Sequence, residues 1–428
     1  MTGATGTLAS SEPWDVLIVG GGPVGASAAA LLQLATKDAR QPLRVAILEL
    51  NRPAATPPDA PLDSRVSALS RASERILTAM DAWSLIPRSR MQPFERMRVW
   101  HESVQPRSTE VLEFDAAYAG EPNLGYIVEN RLVQTAALTA FESAGGKVIA
   151  GELSRLRVHD RQVDLETTTG ALSCRLLVGA DGARSSVRES IGLTAEKSSY
   201  RQTAIVANVR TELPHERTAW QRFLRDGTLA FLPLADGGSS IVWSADDSAA
   251  TPLLAMSPGD FEQDLLRQSD GVLGAMKLRT ERQSFPLHKL TAPRFTAHRC
   301  ALIGDAAHVV HPLAGQGVNL GLLDAAALCE LVTAAHRTRE DPGAQRVLRS
   351  YERWRKSEIE PIALAIDAFN RHLAHGSGPL SRLAQRGLAL VNRTDEVKRF
   401  FITRALGLAG ELPKVARHPP STDRPSIS

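Results

Sequence analysis

The sequence predicts an α/β fold: a Rossmann-like domain, a strand-rich domain interleaved with it, and a helical C-terminal segment. Three observations carry that expectation. A β-branched run, Val16–Val19, leads straight into Gly20-x-Gly22-x-x-Gly25 and an alanine-rich stretch. Far downstream, the apolar run Cys300–Ile303 opens a second glycine-rich stretch, Gly304–Asp324, reading GDAAHVVHPLAGQGVNLGLLD. Between them, segments of residues 196–288 alternate polar and apolar residues as half-buried antiparallel strands do.

Taken in order, Val16–Val19 is a strand and the glycines after it form a dinucleotide fingerprint. Gly20 makes the tight turn, Gly22 admits a pyrophosphate, and Gly25 lets the following helix pack on the strand. The confirming acid belongs after a second strand. Arg44–Leu48 supplies that strand and Glu49 ends it, 24 residues beyond Gly25, where it can bind a ribose hydroxyl. Pro53–Pro61 holds four prolines in nine residues and is a loop. Leu69–Met80 reads as a helix, Leu124–Val128 as a short strand, and Glu129–Ser143 as an amphipathic helix leading to a strand at Lys147–Ala150. Val158–Thr168 alternates as one half-buried antiparallel strand. An apolar strand ends at Ala180; Asp181-Gly182 turns the chain, with Arg184 and Arg188 following at helical spacing.

In the strand-rich part, Thr203–Val209 alternates, and Thr228–Leu234 and Ser239–Ser244 flank Asp236-Gly237-Gly238 as a hairpin. Asp260–Gln268 is a covering helix. Asp305 sits where the strand Cys300–Ile303 ends and can accept hydrogen bonds from a sugar hydroxyl. Gly315, Gln316 and Gly317 let the backbone pass close to a flat ligand, with a helix starting near Val318 and helical structure continuing to about residue 370. The expected division is 12–80, 101–195 and 289–370 for the Rossmann-like domain, and 81–100 with 196–288 for the strand-rich one. Residues 371–428 form a basic helical tail with a disordered end.

Composition bounds the function. A chain of 428 residues with 43% hydrophobic content can bury two or three cores. No apolar run approaches the ~18 residues of a membrane span, and the first twelve residues carry no Lys or Arg and precede no signal-type core. Three cysteines without a CxxC suit a reducing cytoplasm rather than a disulfide framework or a zinc site. The net charge of +3 is uneven: residues 371–417 hold nine Lys/Arg against three Asp/Glu. Confinement of this excess to the tail argues against a nucleic-acid partner.

Together the three cofactor-type segments, 14–50, 174–192 and 300–322, resemble the flavoprotein aromatic hydroxylases related to para-hydroxybenzoate hydroxylase. Within that family the sequence is most similar to the ubiquinone-biosynthesis hydroxylases, through Arg65–Ser70 (RVSALS), Gly125–Asn130 (GYIVEN) and Gly304–Gly321. The resemblance covers roughly residues 14–370. It implies an FAD-binding domain and an FAD-dependent monooxygenase acting on a polyprenylphenol-type ring through a flavin hydroperoxide, with the protein orienting the flavin and excluding water. Another phenolic substrate, or a non-catalytic flavin-binding subunit of a biosynthetic complex, stays open. A halogenase is disfavoured because no Trp-x-Trp pair is present, and a geranylgeranyl-reductase-like enzyme by the HPLAGQG loop.

Carried over position by position, Gly20, Gly22, Gly25 and Glu49 hold the adenosine diphosphate half. The DG turn at Asp181 lies near the pyrophosphate, Asp305 on the ribitol side, and Arg65 beside the flavin cleft. Gly317, Val318 and Asn319, in the loop that Gly315 opens, lie against the pyrimidine edge, where helix N-terminal N–H groups can stabilise developing negative charge. Arg131 assists from its helix. The sequence departs from the family at Asn130, where many relatives place Arg. A base near the substrate phenol would favour phenolate, and His308 and His311 are the nearest ionisable candidates; a structural hydrogen-bonding role is the alternative for each. They are three apart without a Glu or Cys cluster, so no metal site is expected.

With a single nucleotide fingerprint, the electron donor is either a transiently bound NAD(P)H or a partner reductase. A substrate this lipophilic needs access to a membrane or a lipid-carrying partner. At ~100° per residue, Leu383, Leu390, Val397, Phe401 and Leu408 share a stripe flanked by Arg382, Arg386, Arg393 and Arg404. That stripe suits an interfacial helix on the inner face of the membrane, a cap on the protein's own core, or a homodimer seam.

Overall fold

The computed structural model describes residues 12–57, 59–312, 315–370 and 407–417. Its helices are α1 (Pro23–Thr36), α2 (Arg71–Ala79), α3 (Asn130–Ser143), α4 (Ser186–Ser190), α5 (Asp247–Ala255), α6 (Pro258–Gln268), α7 (Gln316–Arg337) and α8 (Gln345–Phe369).

An eight-stranded sheet forms the Rossmann-like half, in the order 296–297, 300–302, 170–179, 14–19, 45–48, 147–149, with 163–167 attached to 170–179 and 153–158 to 163–167. From 300–302 to 147–149 its pairs are parallel. Strands covered on both faces read as unbroken apolar runs, and Val16–Ile18 and Ala46–Ile47 are fully buried accordingly. Helix α1 packs against α3 and α7. The contact with α7 is close: a Cβ on Gly321 would stand 2.5 Å from Val24 Cγ2, so only glycine fits the crossing.

A nine-stranded sheet runs 308–309, 283–291, 196–211, 239–246, 227–233, 218–224, 96–101, 112–115, with 276–278 attached to 196–211. Helices α5 and α6 cover one face, where Leu229, Phe231, Ile241 and Trp243 pack with Phe261 and Leu265. The other face turns towards the Rossmann-like half. A three-stranded sheet of 66–70, 125–129 and 91–94 stands beside both.

Several sequence expectations need correcting. Val158–Thr168 is two strands, Leu153–Val158 and Val163–Thr167, joined by a turn in which His159 N bonds Gln162 O at 2.8 Å. The helix expected over Leu69–Met80 is strand through Ser70, whose hydroxyl then caps α2 by accepting the Ser73 N–H. Residues 112–115, placed in the Rossmann-like range, pair with 96–101 in the large sheet. The strand His308–Val309 also joins that sheet, so the loop after Asp305 passes from one half to the other.

The expected tail stripe from Leu383 to Phe401, with its flanking arginines, lies outside the described residues. The described piece, 407–417, folds back onto the core. Trp354 Nε1 donates to Glu411 O (2.8 Å), Lys414 N to Glu330 Oε2 (2.8 Å), and Ala416 is fully buried. Leu408 packs against the core, as a capping segment would. Helix α7 is long and apolar enough to cross a membrane, but most of it is buried inside the molecule.

Candidate active site

The glycine turn after the first strand is built by backbone proximity. Gly20 has φ +102° and donates its N–H to Leu48 O at 2.9 Å; a Cβ there would stand 2.4 Å from Ala180 O. A Cβ on Gly25 would meet Gly20 O at 2.0 Å. Gly22 differs: no protein atom lies within 4 Å of where its Cβ would be. Glu49 braces the turn, its Oε2 accepting Gly21 N–H at 2.5 Å and its Oε1 Asn51 N–H at 2.7 Å. Gln134 Nε2 holds Gly21 O at 2.9 Å. Neither Gly21 nor Gln134 stood out in the sequence, because neither falls on a fingerprint position.

Other expected contacts are spent inside the protein. Asp181 accepts hydrogen bonds from the Ser185 and Ser186 hydroxyls and from Val187 N–H, tying its turn to the start of α4. Its carboxylate thus shapes the turn. Arg188 is buried and reaches across to Ala306 O and back to Ala183 O, both at 2.9 Å, so the two turns are locked together. Arg131 points to the proline loop and donates to Ala54 O (3.0 Å). Asn130, at the point of departure from the family, accepts from the Ser67 hydroxyl at 2.6 Å, and its N–H bonds Arg65 O at 3.0 Å. Arg65 itself is exposed, its guanidinium 5.6 Å from the centre of the Phe285 ring on the opposite sheet.

Asp305 follows Gly304, whose φ of +58° turns the chain after the strand. Among the described residues no donor reaches its carboxylate. Crowding by surrounding protein raises its pKa above the ordinary value, against the pull of His308, His288 and Arg65.

The two histidines take different places. His308 is buried and its Nε2 lies 2.6 Å from Asp324 Oδ2, which also accepts Gly304 N–H at 3.0 Å. Arg355 Nε holds the other oxygen at 2.7 Å. Burial would raise the Asp324 carboxyl, but His308 and Arg355 outweigh it and hold it below its usual range. His308 therefore clasps the Gly304 turn to α7 and is not among the residues that line the cavity, as the structural hydrogen-bonding alternative expects. Asp324 and Arg355 escaped notice because a lone acid on an apolar helix and a distant arginine show no spacing that pairs them. His311 does line the cavity; its Nε2 lies 3.0 Å from Gln202 Oε1, and Tyr200 meets the ring edge-on at 4.9 Å.

Gly315, with φ +62°, starts α7 without a capping side chain, and no acid stands in the first turn. Helix α1 starts the same way on Gly22. Asn319 is 2% exposed. Its Oδ1 accepts from Ser70 N–H and the Ser73 hydroxyl, while its Nδ2 donates to Ala68 O (2.8 Å) and Gly315 O (3.1 Å). Its side chain thus shapes the loop from within the protein.

A cavity of about 290 Å³ lies between this loop and the large sheet. Asp305, Gly315, Gly317 and Val318 line one end; Phe94, Met97, Ala219, Leu232 and Val242 line the other.

These features fit an FAD. Two uncapped helix N-termini offer backbone N–H groups to phosphate and to the flavin's pyrimidine end. Gly22 and Gly317 leave open the space a side chain would fill, and among the described residues Asp305 is an acceptor without a donor.

Comparison with known proteins agrees with the geometry. The family model described as an FAD binding domain matches residues 132–363. The chain is 36% identical to ubiquinone hydroxylase UbiL of Rhodospirillum rubrum over 97% of its length and 96% of that protein's. It is 33% identical to the 3-demethoxyubiquinol 3-hydroxylase of Escherichia coli (93% and 100% covered) and 30% identical to the human ubiquinone biosynthesis monooxygenase COQ6 (90% and 91%). In fold it is similar to p-nitrophenol 4-monooxygenase PnpA of Pseudomonas putida, with a TM-score of 0.72 at 20% identity, covering 92% of this chain and 98% of that one.

Proposed function

The chain belongs to the FAD-dependent hydroxylases of ubiquinone biosynthesis, and on that premise we propose that it hydroxylates the ring of a polyprenylphenol-type intermediate. One observation carries the substrate reading. The mostly apolar cavity opens directly onto Asp305, Gly317 and Val318, so a ring held there would lie beside the residues that would hold the flavin. Bound FAD, once reduced, supplies the redox step that delivers one oxygen atom of O2 to the ring and releases the other as water.

The protein's own groups do the rest. Gly22 and the first turn of α1 receive the pyrophosphate, Glu49 keeps the glycine turn in shape, and Asp305 accepts a hydroxyl from the ribitol side. The N–H groups of Gly317 and Val318 would hold the pyrimidine end of the flavin and stabilise negative charge there. Apolar walls keep water from the reacting ring. His311 orients the ring hydroxyl, its own ring held by Gln202.

Electrons come from NAD(P)H docking transiently or from a partner reductase; anaerobic mixing with NADPH, followed by flavin bleaching, separates the two. Access to the substrate is assigned to the basic stretch from residue 371, as a peripheral contact with the inner face of a membrane or a biosynthetic complex. Liposomes carrying anionic lipid should co-sediment the full chain. The functional reading is tested in cells lacking the protein: they should accumulate a polyprenylphenol one hydroxyl short, and accumulation of no such compound refutes it.

A further inference from the structure

The cavity carries polar groups that the flavin chemistry does not use. Thr228 pairs with Ser244 across two strands of the large sheet, and Gln221 pairs with Ala230, two residues along from Thr228. Side chains two apart in a strand share a face, so all three stand on the cavity face. The opposite face is the packed core of Leu229, Phe231 and Trp243. Thr228 is 5% exposed and its Oγ1 has no hydrogen-bond partner. Gln221 is equally buried, and neither its amide nor the Ser244 hydroxyl bonds another group among the described residues. Buried polar groups are nearly always satisfied, so the unpartnered Thr228 Oγ1, with the Gln221 amide and the Ser244 hydroxyl beside it on the same cavity, points to a ligand that completes them.

The charges on the wall define that ligand further. Among the described residues no lysine or arginine lines the cavity, and the one carboxylate there, Asp305, lies at the flavin end. Arg222, next to Gln221, points to the other face, where it donates to Gln268 O (2.6 Å) and pairs with Asp270 (2.9 Å). A carboxylate on the ring would be buried without a cation and near an anion, which is unfavourable.

We infer that Gln221, Thr228 and Ser244 form the seat for the oxygen substituents of a neutral ring, and that the cavity rejects a carboxylated one. This rests on the hydroxylase reading above. Hydroxyl and amide groups both donate and accept, which suits phenol and ether oxygens alike.

The test measures equilibrium binding to the FAD-loaded protein of three probes: 2-geranyl-6-methoxyphenol, its 6-ethyl counterpart, which replaces the ether oxygen by a methylene, and 3-geranyl-4-hydroxybenzoate. Wild type should bind the methoxy probe about tenfold more tightly than the ethyl probe, and the benzoate more weakly than either. Thr228→Val, with unchanged flavin content, should lose the preference for methoxy over ethyl. Gln221→Arg should reverse the order of the benzoate and the phenol. Full methoxy preference in Thr228→Val, or benzoate binding to wild type as tight as the phenol's, overturns the inference while leaving the hydroxylase reading intact. No binding of any prenylated phenol by wild type overturns both.

Discussion

Asn319 holds Ser70 across the cofactor cleft: Oδ1 of the one accepts the backbone N–H of the other at 2.9 Å. The same side chain also takes the Ser73 hydroxyl at 2.7 Å and grips Ala68 O and Gly315 O. The loop bearing Arg65 and the loop starting α7 are thereby fixed to each other. Asn319→Ala would leave the buried Ser70 N–H without a partner. It is expected to cost about 2–4 kcal/mol in urea unfolding and to loosen FAD at the same time.

Two glycines of one fingerprint should respond oppositely. Gly22→Val places atoms where the protein has none, so the FAD-free protein should unfold within about 0.5 kcal/mol of wild type but bind FAD at least tenfold more weakly. Gly25→Ala drives a methyl to 2.0 Å from Gly20 O and should cost about 1–3 kcal/mol even without FAD. Paired calorimetric unfolding and FAD titration distinguish them.

Much of this site was legible from backbone demands. Gly20, Gly25 and Gly315 are glycines because their surroundings or φ exclude a side chain, and such constraints leave a mark in the sequence. Side-chain assignments fared less well. Asp181, Asn319 and His308 sit in motifs that point to a ligand, yet all three spend their polar atoms on neighbouring backbone or side chains. Which way such a group turns depends on partners far along the chain, such as Ser70 for Asn319 and Arg355 for the acid beside His308. Gln221, Thr228 and Ser244 were hidden for a related reason: a polar residue in an alternating strand reads as solvent-facing until the sheet's second face is known to border a cavity. The turn at 159–162 was missed because the polar–apolar alternation runs on through it.

Asp305 trades stability for binding. Protein packed around its carboxyl raises it above the usual range although the residue is exposed, so the folded protein holds this proton more tightly than the unfolded chain does. Such a group weighs against the fold above its folded pKa, and the cost fades as pH falls through that value. Asp305→Asn should therefore leave the FAD-free protein at least as stable as wild type at pH 7. FAD affinity should fall about 10–100-fold, as expected for losing a charge-assisted hydrogen bond. Urea unfolding and flavin titration measure the two halves.

Asp324 carries the opposite sign. Its depressed pKa contributes stability above the ordinary carboxylate value near 3.9, lost as pH falls through the folded value. Asp324→Asn leaves Arg355 and His308 without their anion and should cost about 3–5 kcal/mol at pH 7. The variant should also lack the wild-type loss of stability below about pH 4, a comparison read from urea midpoints at both pH values.

Isotope incorporation reports on the hydroxylation itself. FAD-loaded protein, a reductant and a geranylated phenol are incubated under 18O2, and the product is read by mass spectrometry. One 18O should appear in a new ring hydroxyl, with one O2 consumed per product. Unlabelled phenol recovered alongside hydrogen peroxide, from protein carrying its full complement of FAD, would mean that the cavity does not present a ring to the flavin.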